Sequence, residues 1–270
     1  MAEDPSLIVC SLSGYGQDTA LRNRAGHDLN YMARSGMLGL QGPADGPPQV
    51  PGANVSDVAG GSYPAAMGVL AALLERNQTG RGRWLDVSLT RSVIGFNPVL
   101  WASALNGTPR GQDMLTGAAP CYRCYATADG RYMAVGALEP HFWANFCAVA
   151  EAPDLVALQY DTRPEAHARV AAVFASRTQQ EWVDALGDRD ACVEPVRSPA
   201  EAMADPQIGA SAVQAGPYTV MPVHLGAPTP DAIAAPSPLG ADLDAVCADL
   251  GVAPSLVQAA RDAGATGAAP

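Results

Sequence analysis

Residues 6–16 read SLIVCSLSGYG, a short apolar run with β-branched residues that ends in a glycine-containing turn. Such a run predicts a buried strand that enters a tight turn. The stretch HDLNYMARSGML, at residues 27–38, then predicts a short helix. A strand, a turn and a helix in this order are typical of α/β proteins. We therefore expect an α/β fold that contains part of a doubly wound layer.

The segment at residues 56–80 predicts a long helix. Ser56 or Asp57 is suited to cap its start, and Gly80 follows its end. Four of its apolar residues keep helical spacing, which is typical of a helix face that packs: Met67, Leu70, Leu73 and Leu74.

Two further segments continue the predicted α/β pattern. RWLDVSL, at residues 83–89, alternates as a strand does, and residues 90–107 predict one more helix. Residues 1–95 are therefore expected to form part of a large α/β domain, and residues 96–117 are expected to be a linker.

The pattern changes after residue 117. CYRCYAT and RYMAVGAL flank an Asp-Gly pair and predict a hairpin. A helix that begins near Pro140, two further helices and a short strand follow. We expect a smaller α+β domain at residues 118–215. Residues 216–270 are expected to return to the large domain and to end in one helix.

Charge and composition exclude several classes of function. The net charge of −11 disfavours nucleic acid and anionic membrane as partners. All sixteen basic residues are arginines, so lysine Schiff-base chemistry and the lysine-containing phosphate loop are excluded. The start of the chain has no basic signal region, and we see no apolar run long enough for a membrane span. We therefore expect a cytoplasmic protein.

The six cysteines are scattered rather than paired in a disulfide pattern. Cys121 and Cys124 form one C-x-x-C, but no second pair and no histidine pair of the required spacing follows. Zinc binding is therefore disfavoured, and no metal site is predicted. On a strand, residues three apart point to opposite faces, which is the arrangement we expect for this pair.

Three polar residues lie at junctions between predicted elements. His27 lies where a turn meets a helix, Asp57 lies at the start of the long helix, and Glu139 lies at the start of another helix after an apolar strand. Each has an ordinary structural explanation, because acidic residues commonly cap helices. These positions alone do not establish a site.

Several stretches together resemble a known family. They are GYGQ with RAGHDLNYMARSGMLG, NVSDVAGGS, GVLAALLERNQTGRGRWLDVSL, PRGQDMLTGAAPCY and YATADGRYMAVGALEPHFW. In this order and spacing they resemble the α-methylacyl-CoA racemases, which belong to the wider family III CoA transferases, also called the CaiB/BaiF superfamily. The resemblance extends from about Leu7 to Val196.

The resemblance implies roles for the three polar residues. His27 would lie beside the α-carbon of a bound acyl-CoA, and Asp57 and Glu139 would fill the other two functional positions. Removal of an α-proton from a thioester needs a base and stabilisation of the enolate oxygen, and inversion needs one group on each face. Histidine suits this task because its pKa lies near neutrality. Asp57 would need a raised pKa to hold a proton, and Glu139 would orient His27.

The same segment implies the substrate contacts. The residues expected to bind acyl-CoA surround His27: Gly26, Asp28, Leu29, Asn30 and Tyr31. Backbone N–H groups near Asp28 are expected to hold the enolate oxygen at the helix start. Coenzyme A would be part of the substrate, and no covalently bound cofactor is expected.

Two alternatives to a racemase stay open. In family III CoA transferases the equivalent of Asp57 is a nucleophile that forms an acyl anhydride. His27 favours the racemase, since these transferases generally lack histidine there. The other alternative is a non-catalytic subunit or truncated relic. Thr116 also departs from the racemase pattern, which usually has aspartate there.

The resemblance also predicts a partner. Family members have a nucleotide-binding half before the strand that contains Leu7, and that half supplies much of the CoA pocket. An open sheet without these strands would expose an edge. We therefore expect a homodimer, a separate polypeptide that supplies the N-terminal half, or both.

Overall fold

The computed structural model describes residues 4–209, 213–215, 218–220, 232–233 and 240–265. The chain divides into two compact units, Met1–Val196 and Arg197–Pro270. The four-part organisation expected from the sequence stays a prediction. The first unit contains the segments that position the candidate site.

The first unit begins with a parallel pair of strands. β1 (Val9–Ser13) pairs with β2 (Trp84–Ser88) in a register that runs from Val9 opposite Trp84 to Ser13 opposite Ser88. Parallel neighbours require a crossover connection, which here contains α1 (Asp28–Ser35) and α2 (Tyr63–Thr79). This arrangement confirms the α/β fold expected from the sequence.

α2 does not begin where the sequence predicted. Residues Val55–Ser62 form a π-helical segment, and Asn54 rather than Ser56 or Asp57 is its N-cap. Gly60 and Gly61 allow this segment to pack closely on the chain that follows β2. A Cβ on Gly61 would lie 2.1 Å from Leu89 Cδ2, and one on Gly60 would lie 2.8 Å from the nearest side-chain carbon. The prediction of a side-chain cap at position 56 or 57 was therefore wrong.

The apolar stripe on α2 is exposed rather than packed. Tyr63, Met67, Leu70 and Leu74 are each between 61% and 68% exposed. The sequence had predicted a packing face at Met67, Leu70, Leu73 and Leu74, of which only Leu73 is half-buried. The side of the helix that meets β2 carries small residues instead. Ala72 is buried, and a Cβ built on Gly68 would lie 3.4 Å from Leu85 Cδ1 of β2.

The continuous helix Val55–Thr79 is long and apolar enough to cross a membrane, by length and composition alone, and 17% of its most apolar stretch is buried. The sequence prediction had counted only uninterrupted apolar residues and therefore missed this segment. Core helices of proteins outside membranes meet the same criterion, so this feature alone does not assign a membrane location.

The helix predicted at residues 90–107 is broken into three pieces. They are α3 (Leu89–Ser92), a 3-10 helix (Val93–Phe96) and α4 (Pro98–Leu105). Pro98 is compatible only with a first turn, and Asn97 before it accepts the Leu100 N–H at 3.4 Å as an N-cap. The prediction of one continuous helix was wrong for this reason.

A second sheet lies in the same unit. β3 (Tyr122–Ala126) and β4 (Tyr132–Gly136) form the predicted hairpin, and β5 (Val193–Pro195) pairs antiparallel with β4. Cys124 lies on β3 and is exposed, whereas Cys121 directly precedes the strand and is fully buried, so the two differ in exposure as expected but do not share the strand. Three helices cover one face of this sheet: α5 (Pro140–Val149), α6 (Pro164–Phe174) and α7 (Gln179–Leu186).

The core beneath these helices is aromatic. Phe146 and Phe174 stack with ring centroids 4.8 Å apart, and both contact Trp182. The Trp143 Nε1–H donates to the Leu155 carbonyl at 2.8 Å, which satisfies its buried polar atom.

The second unit contains short elements. They are α8 (Pro199–Ala204), β6 (Val213–Ala215), β7 (Tyr218–Val220), β8 (Ala232–Ile233), α9 (Leu243–Asp249) and α10 (Pro254–Asp262). The sequence predicted one final helix, and α10 is an additional one. Pro254 begins it in the position where proline favours a helix start.

Candidate active site

His27 is the N-cap of α1. Its backbone is extended, with φ −129° and ψ 174°, and its N–H donates to Asn30 Oδ1 at 3.0 Å. The Asn30 N–H in turn donates to the His27 carbonyl at 2.8 Å. These two bonds fix the backbone from which the exposed imidazole projects.

Two tyrosines support the segment before His27. The Tyr31 hydroxyl donates to the Gly26 carbonyl, and its ring packs edge-on against Tyr15 with centroids 5.2 Å apart. A Cβ on Gly14 would lie 2.4 Å from Tyr31 Cε1, and one on Gly26 would lie 2.7 Å from the same atom. Glycine is therefore required at both positions beside this ring.

Asp57 lies in the first turn of the π-helical segment and is half-buried. Its N–H donates to Asp28 Oδ1 at 2.8 Å. Burial raises the pKa of the Asp57 carboxyl and the charge of Asp28 raises it further, whereas the charge of His27 lowers it. Asp57 and His27 thus interact electrostatically, as a shared acid–base role requires.

Tyr31 belongs to the same electrostatic group. Burial raises the pKa of its hydroxyl, and the charges of Tyr15 and Asp57 raise it further. Tyr31 therefore stays protonated at neutral pH and can act as the donor to Gly26.

The five predicted binding residues have distinct placements. Gly26, Asn30 and Tyr31 hold the backbone around His27, and Asp28 contacts the Asp57 segment. Leu29 is 39% exposed at the start of α1. Substrate contact by these five residues stays a prediction.

Glu139 lies elsewhere in the first unit. It is the exposed N-cap of α5, and its charge contributes, after burial and Asp190, to raising the pKa of the Cys192 thiol. Among the described residues, no hydrogen bond or ion pair joins Glu139 to His27 or Asp57. The structure thus brings two of the three residues together, and the role of Glu139 stays a prediction.

A cavity of about 1030 Å³ lies between the second sheet and the loops beside it. Gly136, three residues before Glu139, lines it together with Cys192 and Thr116. The Thr116 hydroxyl donates to the Asp113 carbonyl at 2.8 Å, so this side chain closes a local turn. The cavity was not predicted, because it depends on loops that are distant in sequence.

The start of α1 can stabilise negative charge. The N–H groups of Asp28 and Leu29 donate to no acceptor within the described part of the chain, as expected for the first turn of a helix. An imidazole, a carboxyl with a raised pKa and free N–H donors together can exchange a proton at a carbon next to a carbonyl. No cluster of metal-ligating residues occurs among the described residues.

Residues 1–236 match the family described as CoA-transferase family III. The chain belongs to CoA-transferase family III. This membership confirms the resemblance drawn from the GHDLNY and GALEP segments.

Two curated relatives illustrate the range of this family. The chain is 39% identical over 202 residues to an α-methylacyl-CoA racemase from Homo sapiens, covering 72% of this chain and 52% of the relative. It is 31% identical over 189 residues to a succinyl-CoA:glutarate CoA-transferase from Mus musculus, covering 66% of this chain and 43% of the relative. The chain thus spans about half the length of these relatives.

A solved structure supports the fold. A CaiB/BaiF family protein from Brucella suis superposes with a TM-score of 0.65 at 22% identity, covering 79% of this chain and 59% of that one. The family III chain therefore shares its α/β architecture with the CaiB/BaiF proteins.

Proposed function

We propose that this family III chain carries the acid–base pair of an acyl-CoA racemase or epimerase that acts on 2-methylacyl-CoA. The observation that carries the proposal is that Asp28, the residue after His27, accepts the N–H of Asp57 at 2.8 Å, which places the two segments side by side, and that the pKa of the Asp57 carboxyl is raised. The human racemase at 39% identity supports the same assignment.

The proposed reaction transfers the α-proton in two steps. The neutral imidazole of His27 removes it, and the electron pair of the broken C–H bond moves to the thioester oxygen. The enolate oxygen accepts hydrogen bonds from the free N–H groups of Asp28 and Leu29. The protonated carboxyl of Asp57 then delivers its proton to the opposite face of the carbon. For the other enantiomer, the two groups exchange roles.

The raised pKa of Asp57 matters for this reaction. An aspartate with an ordinary pKa is almost fully ionised near neutrality and has no proton to donate. Partial burial and the charge of Asp28 increase the protonated fraction. Coenzyme A enters as part of the substrate, and the proposal requires no covalently bound cofactor.

Glu139 and a partner belong to the same proposal. We propose that Glu139 orients His27 in an assembly, either a homodimer or a complex with a polypeptide that completes the CoA pocket. The exposure of Glu139 at the start of α5, where a partner could contact it, supports this arrangement. Glu139→Gln is then expected to slow exchange from both enantiomers equally.

A CoA transferase is the second candidate, and the mouse relative supports it. In that reaction the Asp57 carboxylate attacks the thioester carbonyl and expels the CoA thiolate, which gives an acyl anhydride. A raised pKa works against this step, because only the ionised carboxylate is nucleophilic. We therefore prefer proton transfer.

One experiment separates these candidates. The purified chain is incubated with a 2-methylacyl-CoA in deuterated water, with and without hydroxylamine, and both substrate and protein are analysed by mass spectrometry. Deuterium at the α-carbon with unmodified Asp57 is the expected result. A hydroxamate at Asp57 would instead establish the transferase. Neither product, with a partner that completes the CoA pocket also supplied, would favour a non-catalytic subunit.

A further inference from the structure

Asp28 connects the two segments that carry the proposed acid–base pair. It directly follows His27 as the first residue of α1, and its Oδ1 accepts the N–H of Asp57 at 2.8 Å. The two aspartates are 29 residues apart in sequence. One side chain thus joins the helix start at His27 to the turn at Asp57.

This hydrogen bond gives the Asp57 N–H an acceptor that the π-helical segment Val55–Ser62 does not itself provide. N–H groups in the first turn of a helix have no partner within that helix. Asn54, the N-cap of the π-helical segment, makes no side-chain capping bond. The Asp28 carboxylate therefore caps a helix to which it does not belong, and its charge suits the positive end of the helix dipole.

We infer that Asp28 is a positioning residue for the proposed reaction, which holds Asp57 at a fixed place relative to His27 and puts a negative charge beside it. This inference rests on the proposed acid–base role of His27 and Asp57. The sequence suggested only a substrate contact at Asp28, through backbone N–H groups near this residue.

Among the charged groups on the elements around Asp57, Asp28 is the acidic residue that acts on its carboxyl. The π-helical segment that carries Asp57 packs against α1, α2, α3, β2 and the 3-10 helix Val93–Phe96. From α1, His27 and Tyr31 also interact with Asp57.

On α1, Arg34 lies exposed in the last turn, at the opposite end of the helix from Asp28. The charged groups on the other elements have partners of their own. On α3, Arg91 pairs with Asp18 at 2.7 Å. On β2, Asp86 accepts the Gln17 N–H at 2.9 Å. Near the C-terminal end of α2, Glu75 pairs with Arg83, and Arg76 donates to the Ser6 carbonyl. The 3-10 helix carries no titratable side chain.

The position of Asp28 has two separable effects. The Asp28 Oδ1 atom holds the backbone of Asp57 in place through the hydrogen bond from the Asp57 N–H, and the Asp28 charge raises the pKa of the Asp57 carboxyl beyond the effect of burial. Asn at this position keeps an acceptor oxygen but removes the charge, whereas Ala removes both. The two variants therefore distinguish charge from geometry.

The experiment compares Asp28→Asn and Asp28→Ala with Asp188→Asn, a control that removes a charge from an exposed residue. Two quantities are measured in the full chain: the titration of the Asp57 carboxyl by ¹³C NMR, assigned with Asp57→Asn, and the pH profile of α-deuterium exchange with 2-methylacyl-CoA.

Three results are expected. Asp28→Asn lowers the pKa of Asp57 and moves the acidic limb of the exchange profile to lower pH. It also slows exchange more from the enantiomer that His27 deprotonates, because less Asp57 is protonated. Asp28→Ala reduces exchange from both enantiomers by about tenfold or more, since the proton donor is no longer held in place. Asp188→Asn matches the wild-type chain.

Wild-type titration of Asp57 in Asp28→Asn, together with wild-type exchange in both variants, would overturn the inference. If Asp28→Ala does not fold, the titration and profile of Asp28→Asn still decide. If the wild-type chain exchanges no α-proton, the proposed function fails, whereas the NMR titration still tests the interaction between the two aspartates.

Discussion

Gly26→Ala tests whether the tyrosine pair positions His27. The added Cβ would lie 2.7 Å from Tyr31 Cε1 and 2.9 Å from the Tyr15 hydroxyl, both closer than a methyl group tolerates. The Tyr31 ring has little room to move, because the backbone at Gly14 also lies close to it, as the 2.4 Å distance from a Cβ built there to Cε1 shows. The ring is also fixed by the edge-on contact with Tyr15 and by the hydrogen bond from its hydroxyl.

The expected cost follows from this confinement. Overpacking by one methyl group in a site that cannot relax costs about 1–3 kcal/mol. Either the ring moves and loses its bond to the carbonyl of residue 26, or the backbone before His27 shifts. Both responses displace the imidazole, so the rate of α-deuterium exchange is expected to fall by at least about tenfold.

Urea unfolding monitored by circular dichroism measures the change in the free energy of unfolding. The rate of α-deuterium exchange reports the effect of displacing the His27 imidazole. Gly39→Ala is the matched control, since nothing lies within 4 Å of a Cβ at that position. Equal stability and equal exchange in Gly26→Ala and Gly39→Ala would refute the role assigned to the tyrosine pair.

Three further predictions concern other parts of the chain. His27→Ala and Asp57→Asn should each slow α-deuterium exchange more from one enantiomer than from the other, with opposite preferences; equal losses in chiral assays of both would argue against two bases. Burial raises the pKa of the Cys147 thiol to about 11, so a maleimide at pH 7 should label exposed Cys124 and leave Cys147 unlabelled, as peptide mass spectrometry can check. The hydrogen-bonded Arg163 guanidinium lowers the pKa of the Asp161 carboxyl from 3.8 to about 2. The stabilisation from this pair is therefore present above pH 3.8 and is lost as the pH falls through about 2, a dependence that Asp161→Asn should remove from acid-unfolding curves.

Local sequence signals predicted most elements of the first unit. Val9–Ser13 and the start of α1 follow directly from an apolar run, a glycine turn and a polar N-cap. The break at Pro98 could also have been predicted, since proline before a helical stretch indicates a first turn. The π-helical segment could not, because it depends on glycines that meet the chain beyond β2.

The candidate site was predicted only in part. His27 and Asp57 are identified by the motifs around them, and the structure brings them together. The Tyr15–Tyr31 pair and the hydrogen bond from the Asp57 N–H to Asp28 depend on which groups meet after folding, so no spacing within the sequence indicates them. Glu139 was predicted to orient His27, but it lies exposed at the start of α5 without a hydrogen bond or ion pair to His27 among the described residues, so its role stays a prediction.

The pairing of β1 with β2 also bears on the order of folding. Val9 pairs with Trp84, and both His27 and Asp57 lie within the loop that this pairing closes. Closing a long loop costs entropy before any strand contact compensates for it, and parallel pairing between distant segments is intrinsically slow. We therefore expect the segments that carry His27 and Asp57 to come together only late in folding, when the two strands pair.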